Sequence, residues 1–221
     1  MHTEIKNSSA ILIFGLSPQG LFLLRELSRA GIEVVAIGRS DDVGTRSRYG
    51  RIFCIDSDKD MKAALQQIDE MAISIRSAYV TSDYFLNILI EKYRDIFSKY
   101  SFSISQYDTV RLLSDKVLTY EEAGKFGISI PKTCPVSRCL SLDDNVFPII
   151  LKWRKTPTHF SMPFKTCILR NRSSAEKKIA DVAQYDDFLT AQQLISGKDI
   201  SYAGFYRDGL EVFSVVVERK R

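Results

Sequence analysis

The sequence predicts an α/β chain, with an open, mostly parallel sheet first and a smaller α+β part after it. Three observations predict this. Ala10–Phe14 (AILIF) is apolar at every position, the mark of a strand covered on both faces. Apolar strands then alternate with amphipathic helices towards Ser105, the pattern of successive βαβ units. Near the end, Asp208-Gly209 stands between two strand-like runs, YAGFYR and LEVFSVVVE, which signals an antiparallel hairpin.

Taken in order, the strand Ala10–Phe14 runs into GLSPQG, Gly15 to Gly20, and a helix over 21–30 that puts Leu23, Leu24 and Leu27 on one face. Gly31 stops it, and Ile32–Gly38 (IEVVAIG) is a second buried strand. Strand, glycine turn, helix, strand is a Rossmann-like βαβ unit. Arg51–Asp56 is a third strand, Met61–Ile75 a helix with Ala64, Leu65, Ile68 and Met71 inward, and Ala78–Thr81 a fourth strand. Ser82 caps an amphipathic helix that reads through to Phe97. Ligands of such sheets bind beyond the carboxyl ends of the strands, a rim formed here by Leu16–Gln19, Arg39–Ser40 and Ser82–Asp83.

Two domains are expected, 1–105 and 106–221. The second opens with one or two helices over Gln106–Phe126, the second capped by Ser114 or Asp115. Lys116 then falls in a helix's first turn, where the helix dipole opposes a cation; such a charge marks a nearby anion or carries no meaning. An extended segment starts near Pro131. Phe147–Lys155 (FPIILKWRK) is a short buried strand, Ile149–Leu151, with Lys152 at its end. A strand-held lysine suits a phosphate oxygen, although an isolated one also reads as a side chain leaving an edge strand for water. A returning strand over Phe164–Arg170, a serine-capped helix over Ser173–Gln184 and a strand over Phe188–Ser201 that bends at Gly197 precede the hairpin.

Composition narrows the function classes. A net charge of +4 in 221 residues is compatible with an anionic small molecule and too weak to argue for nucleic acid, which is not expected as a partner. The apolar stretches are too short to span a bilayer, and the polar N-terminus has no signal-peptide core, which predicts a cytoplasmic protein. Cys54, Cys134, Cys139 and Cys167 match no zinc spacing and read as ordinary reduced thiols; His2 and His159 build no metal site between them.

The spacing GxSxxG resembles the dinucleotide fingerprint GxGxxG, with Ser17 in place of the middle glycine. The acid expected at the end of the second strand is replaced by Arg39 and Ser40, with Asp41 and Asp42 just after it. A Rossmann-type dinucleotide-binding protein is therefore one alternative, and a non-catalytic nucleotide-binding module another.

The order of the remaining motifs carries a different resemblance. KFGISIPKT (Lys125–Thr133), FPIILK (Phe147–Lys152) and AQQLISGKD (Ala191–Asp199), after a helix bearing Lys116, resemble the ATP-grasp superfamily of carboxylate–amine ligases with its preceding pre-ATP-grasp domain. The resemblance implies that residues 106–221 form the first part of an ATP-grasp domain, its lid and hinge. It implies that Lys116 and Lys152 meet the phosphates of ATP, that the backbone of Gln192, Gln193, Leu194 and Ile195 reads the adenine edge, and that Asp199 accepts from the ribose. Ser17, Ser82 and Asp83 on the first sheet's rim are the expected carboxylate-substrate residues. The implied substrates are a small carboxylate and an amine, joined through an acylphosphate.

Two departures stand out. Trp153 replaces the family's proline after Lys152, and the loop Lys155–Pro163 has no glycine where the family has a Gly-rich lid. The Mg²⁺ ligands of the family are expected beyond residue 221, so a truncated and inactive chain is expected, with no metal ligand assigned here. A sheet cut at a strand edge also invites a homodimer.

Overall fold

The computed structural model describes residues 9–71, 73–104, 106–141, 143–160 and 162–219. His2 and Ser105, the expected domain boundary, lie outside them. The chain divides into two compact units: Met1–Ile130 with Trp153–Lys165 and Asp187–Thr190, and Pro131–Lys152 with Thr166–Asp186 and Ala191–Arg221.

The first unit is built on four parallel strands, β1 (Ser9–Phe14), β2 (Glu33–Arg39), β3 (Arg51–Ile55) and β4 (Ser74–Val80), in the order β3-β2-β1-β4. Its covering helices are α1 (Pro18–Arg29), α2 (Asp58–Glu70), α3 (Asp83–Lys92) and the single turn α4 (Ile96–Lys99); α5 (Tyr107–Ser114) and α6 (Lys116–Lys125) follow. The uniformly apolar β1 is explained by its two faces. Ala10, Leu12 and Phe14 join Val35 and Ile37 against Ala64, Ile68, Phe85 and Leu89 of α2 and α3. Ile13 joins Val34 and Ala36 against Leu24 of α1. Alternation of side chains along a strand splits one apolar run between two cores. Each large side chain so buried contributes on the order of 1.5–3 kcal/mol.

Four expected boundaries moved. The helix expected over Met61–Ile75 ends at Glu70, and β4 starts at Ser74 rather than Ala78. Ile68, Met71 and Ile75 do follow a helical period, but Ile75 pairs with Ala10 in the sheet, and strand pairing to β1 wins. Capping decides the other end: Ser57 and Asp60 form a reciprocal capping box that starts α2 at Asp58. The helix expected over Ser82–Phe97 breaks after Lys92. Tyr93 turns its ring into the core, 8% exposed, and its hydroxyl donates to Asp58 Oδ1 at 3.0 Å.

The second unit carries an antiparallel sheet, β5 (Thr133–Cys134), β6 (Ile149–Trp153), β7 (Thr166–Leu169) and β8 (Leu189–Gln193), ordered β5-β8-β6-β7. Trp153 and Leu189–Thr190, at strand ends, count with the first unit. Helix α7 (Arg172–Val182) packs Ala175 and Val182 on β7 and on the 3-10 turn Val136–Ser141. Its cap is Asn171, not the expected serine; Ser174 is its reciprocal partner. The strand expected over Phe188–Ser201 is two strands, β8 and β9 (Asp199–Arg207). The hairpin of β9 and β10 (Leu210–Arg219) turns at Asp208 and Gly209 with φ of 53° and 78°, the left-handed pair a tight two-residue turn requires.

Candidate nucleotide and substrate surfaces

The second unit places Lys152 on the open face of its sheet. Residues of β6 alternate buried and half-buried, so Ile149, Leu151 and Trp153 face the covered side and Ile150 and Lys152 the other. Across β7, Lys152 lies opposite Thr166 and Ile150 opposite Ile168, and Ile168 is 46% exposed. The opposite register partner of Gln192 on β8 is Thr133 on β5. The open face therefore presents Ile150, Lys152, Thr166 and Ile168, and it is covered over where it reaches the buried Gln192.

Lys152 is held there by hydrogen bonds. Its Nζ donates to Gln192 Oε1 at 2.7 Å, and Gln192 Nε2 donates to Thr133 Oγ1 at 3.2 Å. Gln192 is 3% exposed, so this amide is a buried brace with both ends satisfied. The motif reading assigned Gln192 a backbone role and gave Thr133 none; the structure adds a positioning role for both side chains. The signal for it was a polar pair, Gln192-Gln193, ending an otherwise apolar strand. Next along, Gln193 N–H donates to Lys132 O at 2.8 Å, so that amide is engaged within the protein. Leu194 is half-buried and Ile195 is 66% exposed. Asp199 opens β9, its carboxylate 3.9 Å from Arg219. A cavity of about 490 Å³ adjoins the brace, lined by Lys132, Thr133, Cys134, Asn145, Gln192 and Gln193 among others.

In the first unit the expected rim residues sit at the carboxyl ends of β1 and β4. Ser17 is the residue before α1, its hydroxyl donating to Gln19 Oε1 at 3.0 Å. Ser82 caps α3 by accepting from Phe85 N–H, and a Cβ added at Gly15 would lie 3.1 Å from its Oγ, so Ser82 abuts the Gly15 turn. Asp83 lies in the first turn of α3, where a carboxylate is favoured. It shares a cavity of about 450 Å³ with Lys116, Asn87, Ser114 and Thr156. Asn87, 3% exposed, donates to Thr156 O at 2.7 Å.

Lys116 is fixed by its neighbours. Its N–H donates to Arg154 O at 2.9 Å and its Nζ reaches the same oxygen at 3.4 Å. Asp115, one of the two expected caps, accepts from Val117 N–H at 2.9 Å and Leu118 N–H at 3.4 Å while its Oδ2 pairs with Arg154 at 2.9 Å. A carboxylate at the helix start thus offsets the misplaced lysine charge. Lys155, which opens the glycine-free loop, is ion-paired with Glu91. Lys116 belongs to the first unit and Lys152 to the second.

The dinucleotide alternative is not favoured. Leu16 N–H, the amide a pyrophosphate would approach, donates to Asp42 Oδ2 at 3.0 Å. Among the described residues no three His, Cys, Asp or Glu side chains gather into a metal cluster. No described helix is long and apolar enough to cross a membrane.

No family model and no curated protein matches the sequence. Solved structures do. N5-carboxyaminoimidazole synthetase of Staphylococcus aureus, complexed with ADP, matches with a TM-score of 0.70 at 16% identity, covering 100% of this chain and 56% of that one. The N5-carboxyaminoimidazole ribonucleotide synthetase of Thermus thermophilus gives 0.69 at 15%, covering 96% and 54%. An L-amino acid ligase of Bacillus licheniformis gives 0.61 at 13%, covering 87% and 46%. The chain spans about half the length of these structures, and at such identities the likeness is one of fold.

Proposed function

We propose that this chain, which has the fold of the N-terminal part of the ATP-grasp carboxylate–amine ligases, is the nucleotide- and carboxylate-binding part of such a ligase. The observation that carries the reading is the open face of the second sheet, where the Gln192 brace holds the Lys152 ammonium beside Ile150 and Ile168. Two branched apolar side chains make a wall for a planar base, and a fixed cation beside them meets a phosphate oxygen. Preorganisation is the point: Gln192 sets the ammonium in place before any ligand arrives, so binding does not have to order it.

In the proposed reaction a substrate carboxylate oxygen attacks the γ-phosphorus of ATP and ADP leaves. An amine nitrogen then attacks the acyl carbon, phosphate leaves, and the nitrogen loses its proton as the amide forms. Phosphoryl transfer of this kind is mostly positioning and charge neutralisation. Lys152 neutralises phosphate charge, and Lys116 is assigned to the same task by its motif. Gln193 N–H is engaged by Lys132, so adenine-edge recognition in this proposal rests on the backbone of Gln192, Leu194 and Ile195, with Asp199 for the ribose. The hydroxyl proton of Ser82, at the rim of the first sheet, is a donor for the substrate carboxylate, that of Ser17 becomes one when it leaves Gln19 Oε1, and Asp83 borders the cavity that holds Lys116.

Calorimetric titration tests the reading. ADP and ATP should bind with Kd values that rise at least tenfold in Lys152→Met, while NADH should not bind. Equal heats from NADH and ATP, or indifference to Lys152→Met, would refute it.

A further inference from the structure

We propose that the cavity of about 450 Å³ lined by α3 and α5 binds an α-amino acid with an apolar side chain, its ammonium on Asp83 and Asn87 and its carboxylate on Lys116. One stripe of each helix faces the cavity. Asp83, Leu86 and Asn87 stand at i, i+3 and i+4 on α3, and Val110, Leu113 and Ser114 stand at the same spacing on α5. The Tyr107 hydroxyl donates to Ile90 O at 3.2 Å and ties the two helices together. Lys116, in the first turn of α6, lies on the same wall.

The polar groups of this lining are unspent. Asn87 is 3% exposed, and its Nδ2 donates to Thr156 O at 2.7 Å, which fixes the orientation of the amide. Its Oδ1 accepts no hydrogen bond among the described residues. A buried acceptor so placed takes its donor from whatever fills the cavity. On the same face of α3, the Asp83 carboxylate has no ion pair or hydrogen bond among the described residues. The Lys116 ammonium has only the carbonyl of Arg154, at 3.4 Å. Asp83 and Lys116 thus border one cavity with opposite charges that do not neutralise each other. The Ser114 hydroxyl is spent on Arg111 O at 2.9 Å, which leaves Lys116 to meet an anion at that end.

These groups select a zwitterion. A ligand ammonium has three N–H donors, enough to serve the Asp83 carboxylate and Asn87 Oδ1 together, and Lys116 takes the ligand carboxylate. The rest of the wall is apolar. Val110 is buried, Leu86 half-buried and Leu113 58% exposed, so a ligand side chain laid on Leu113 removes apolar surface from water. A simple carboxylate would leave Asp83 uncompensated, a simple amine would leave Lys116 so, and a charged side chain would lie against Leu86, Val110 and Leu113. As binding, the inference stands without the ligase reading. As the identity of the amine substrate it rests on that reading, in which Ser82, the chain neighbour of Asp83, donates to the substrate carboxylate.

The test is calorimetric titration of the whole chain with L-leucine, isocaproate, isoamylamine and L-glutamate. L-leucine should bind, and each of the other three should bind at least about tenfold more weakly, the loss expected when a charge-assisted contact or the apolar fit is missing. Asp83→Asn should weaken L-leucine about tenfold but not isocaproate, and Lys116→Met should weaken L-leucine about tenfold but not isoamylamine. Circular dichroism checks that both variants fold; if either does not, the ligand series on the wild-type chain decides alone. No nucleotide is present, so this result and the ADP titration fail separately. Absence of saturable heat from L-leucine, isocaproate or isoamylamine binding as tightly as L-leucine, or indifference of L-leucine to both variants would overturn the proposal.

Discussion

Replacing Asp115 tests the junction that holds Lys116. Its carboxylate does two jobs: it caps α6 through Val117 and Leu118 N–H, and it pairs with Arg154 at 2.9 Å. Losing the cap costs about 1 kcal/mol. The ion pair is worth more than a surface pair because the Asp115 side chain is only 14% exposed, but Arg154 at 33% limits the gain, so about 1–2 kcal/mol is reasonable. Asp115→Ala should therefore lose about 2–3 kcal/mol, and Asp115→Asn, which keeps a good cap, about 1–2 kcal/mol. In a chain of this size each kcal/mol moves Tm by about 2–4 °C, so the two variants should separate by several degrees. The chain has one tryptophan, Trp153, which counts with the first unit, so its fluorescence on heating follows the relevant part. Identical Tm values for the Asn and Ala variants would remove the cap from the reasoning, and wild-type Tm for both would remove the junction altogether.

Three further outcomes follow from the same structure. A Cβ on Gly20 would lie 2.0 Å from Gly15 O, so Gly20→Ala should lose more than about 3 kcal/mol in urea unfolding, whereas Gly124→Ala, with only Ile130 at 3.9 Å, should gain about 0.5–1 kcal/mol from helix propensity. Gln192→Leu leaves the Lys152 ammonium and the Thr133 hydroxyl without their present partner; thermal melts should show a loss of about 1–3 kcal/mol, together with weaker ADP binding by calorimetry. The Asp58 carboxyl is held below its ordinary 3.8 by the Tyr93 hydroxyl first, then by Lys62 and Lys92. A depressed carboxyl stabilises the fold above its unfolded pKa and loses that contribution as pH falls through the folded one. The deficit of Tyr93→Phe should therefore be full near pH 6 and shrink below about pH 4, and a deficit constant across that range would count against the linkage.

The parallel sheet was legible because buried strands need runs like AILIF that few other elements use, and because βα alternation sets their order. Lys152 stands out in the sequence because a cation interrupts an apolar run, and the structure places it on β6. What was not legible came from partners distant in sequence. Ile75 satisfies a helical period and a strand equally well, and only its pairing with Ala10 decides between them. Tyr93 looks like one more apolar residue of a long helix until Asp58 receives its hydroxyl. Gln192 reads as a strand residue with an ordinary backbone role; its buried side chain acquires meaning only when Lys152 and Thr133 arrive on neighbouring strands. Asp115 and Arg154 are 39 residues apart, and no local pattern joins them.

The GLSPQG turn shows why glycine spacing alone is a weak guide to a dinucleotide. Gly15 has φ of +100°, and a Cβ there would meet Thr81 Oγ1 at 2.9 Å. Gly20 must let the helix lie against the Gly15 carbonyl. Both glycines are therefore required by the packing of β1, α1 and β4, with or without a ligand. The middle glycine of the fingerprint has a different job, to let backbone approach a pyrophosphate, and here Ser17 occupies its place. Asp42 completes the contrast. Its Oδ2 accepts from Leu16 N–H and from Arg39 N–H, both at 3.0 Å, so a carboxylate already sits on the turn's amide. A phosphate brought within about 4 Å of that carboxylate would be repelled by about 1–4 kcal/mol per unit charge between bulk-water and near-surface screening. The fold keeps the glycines it needs for close packing and fills the anion position with its own side chain.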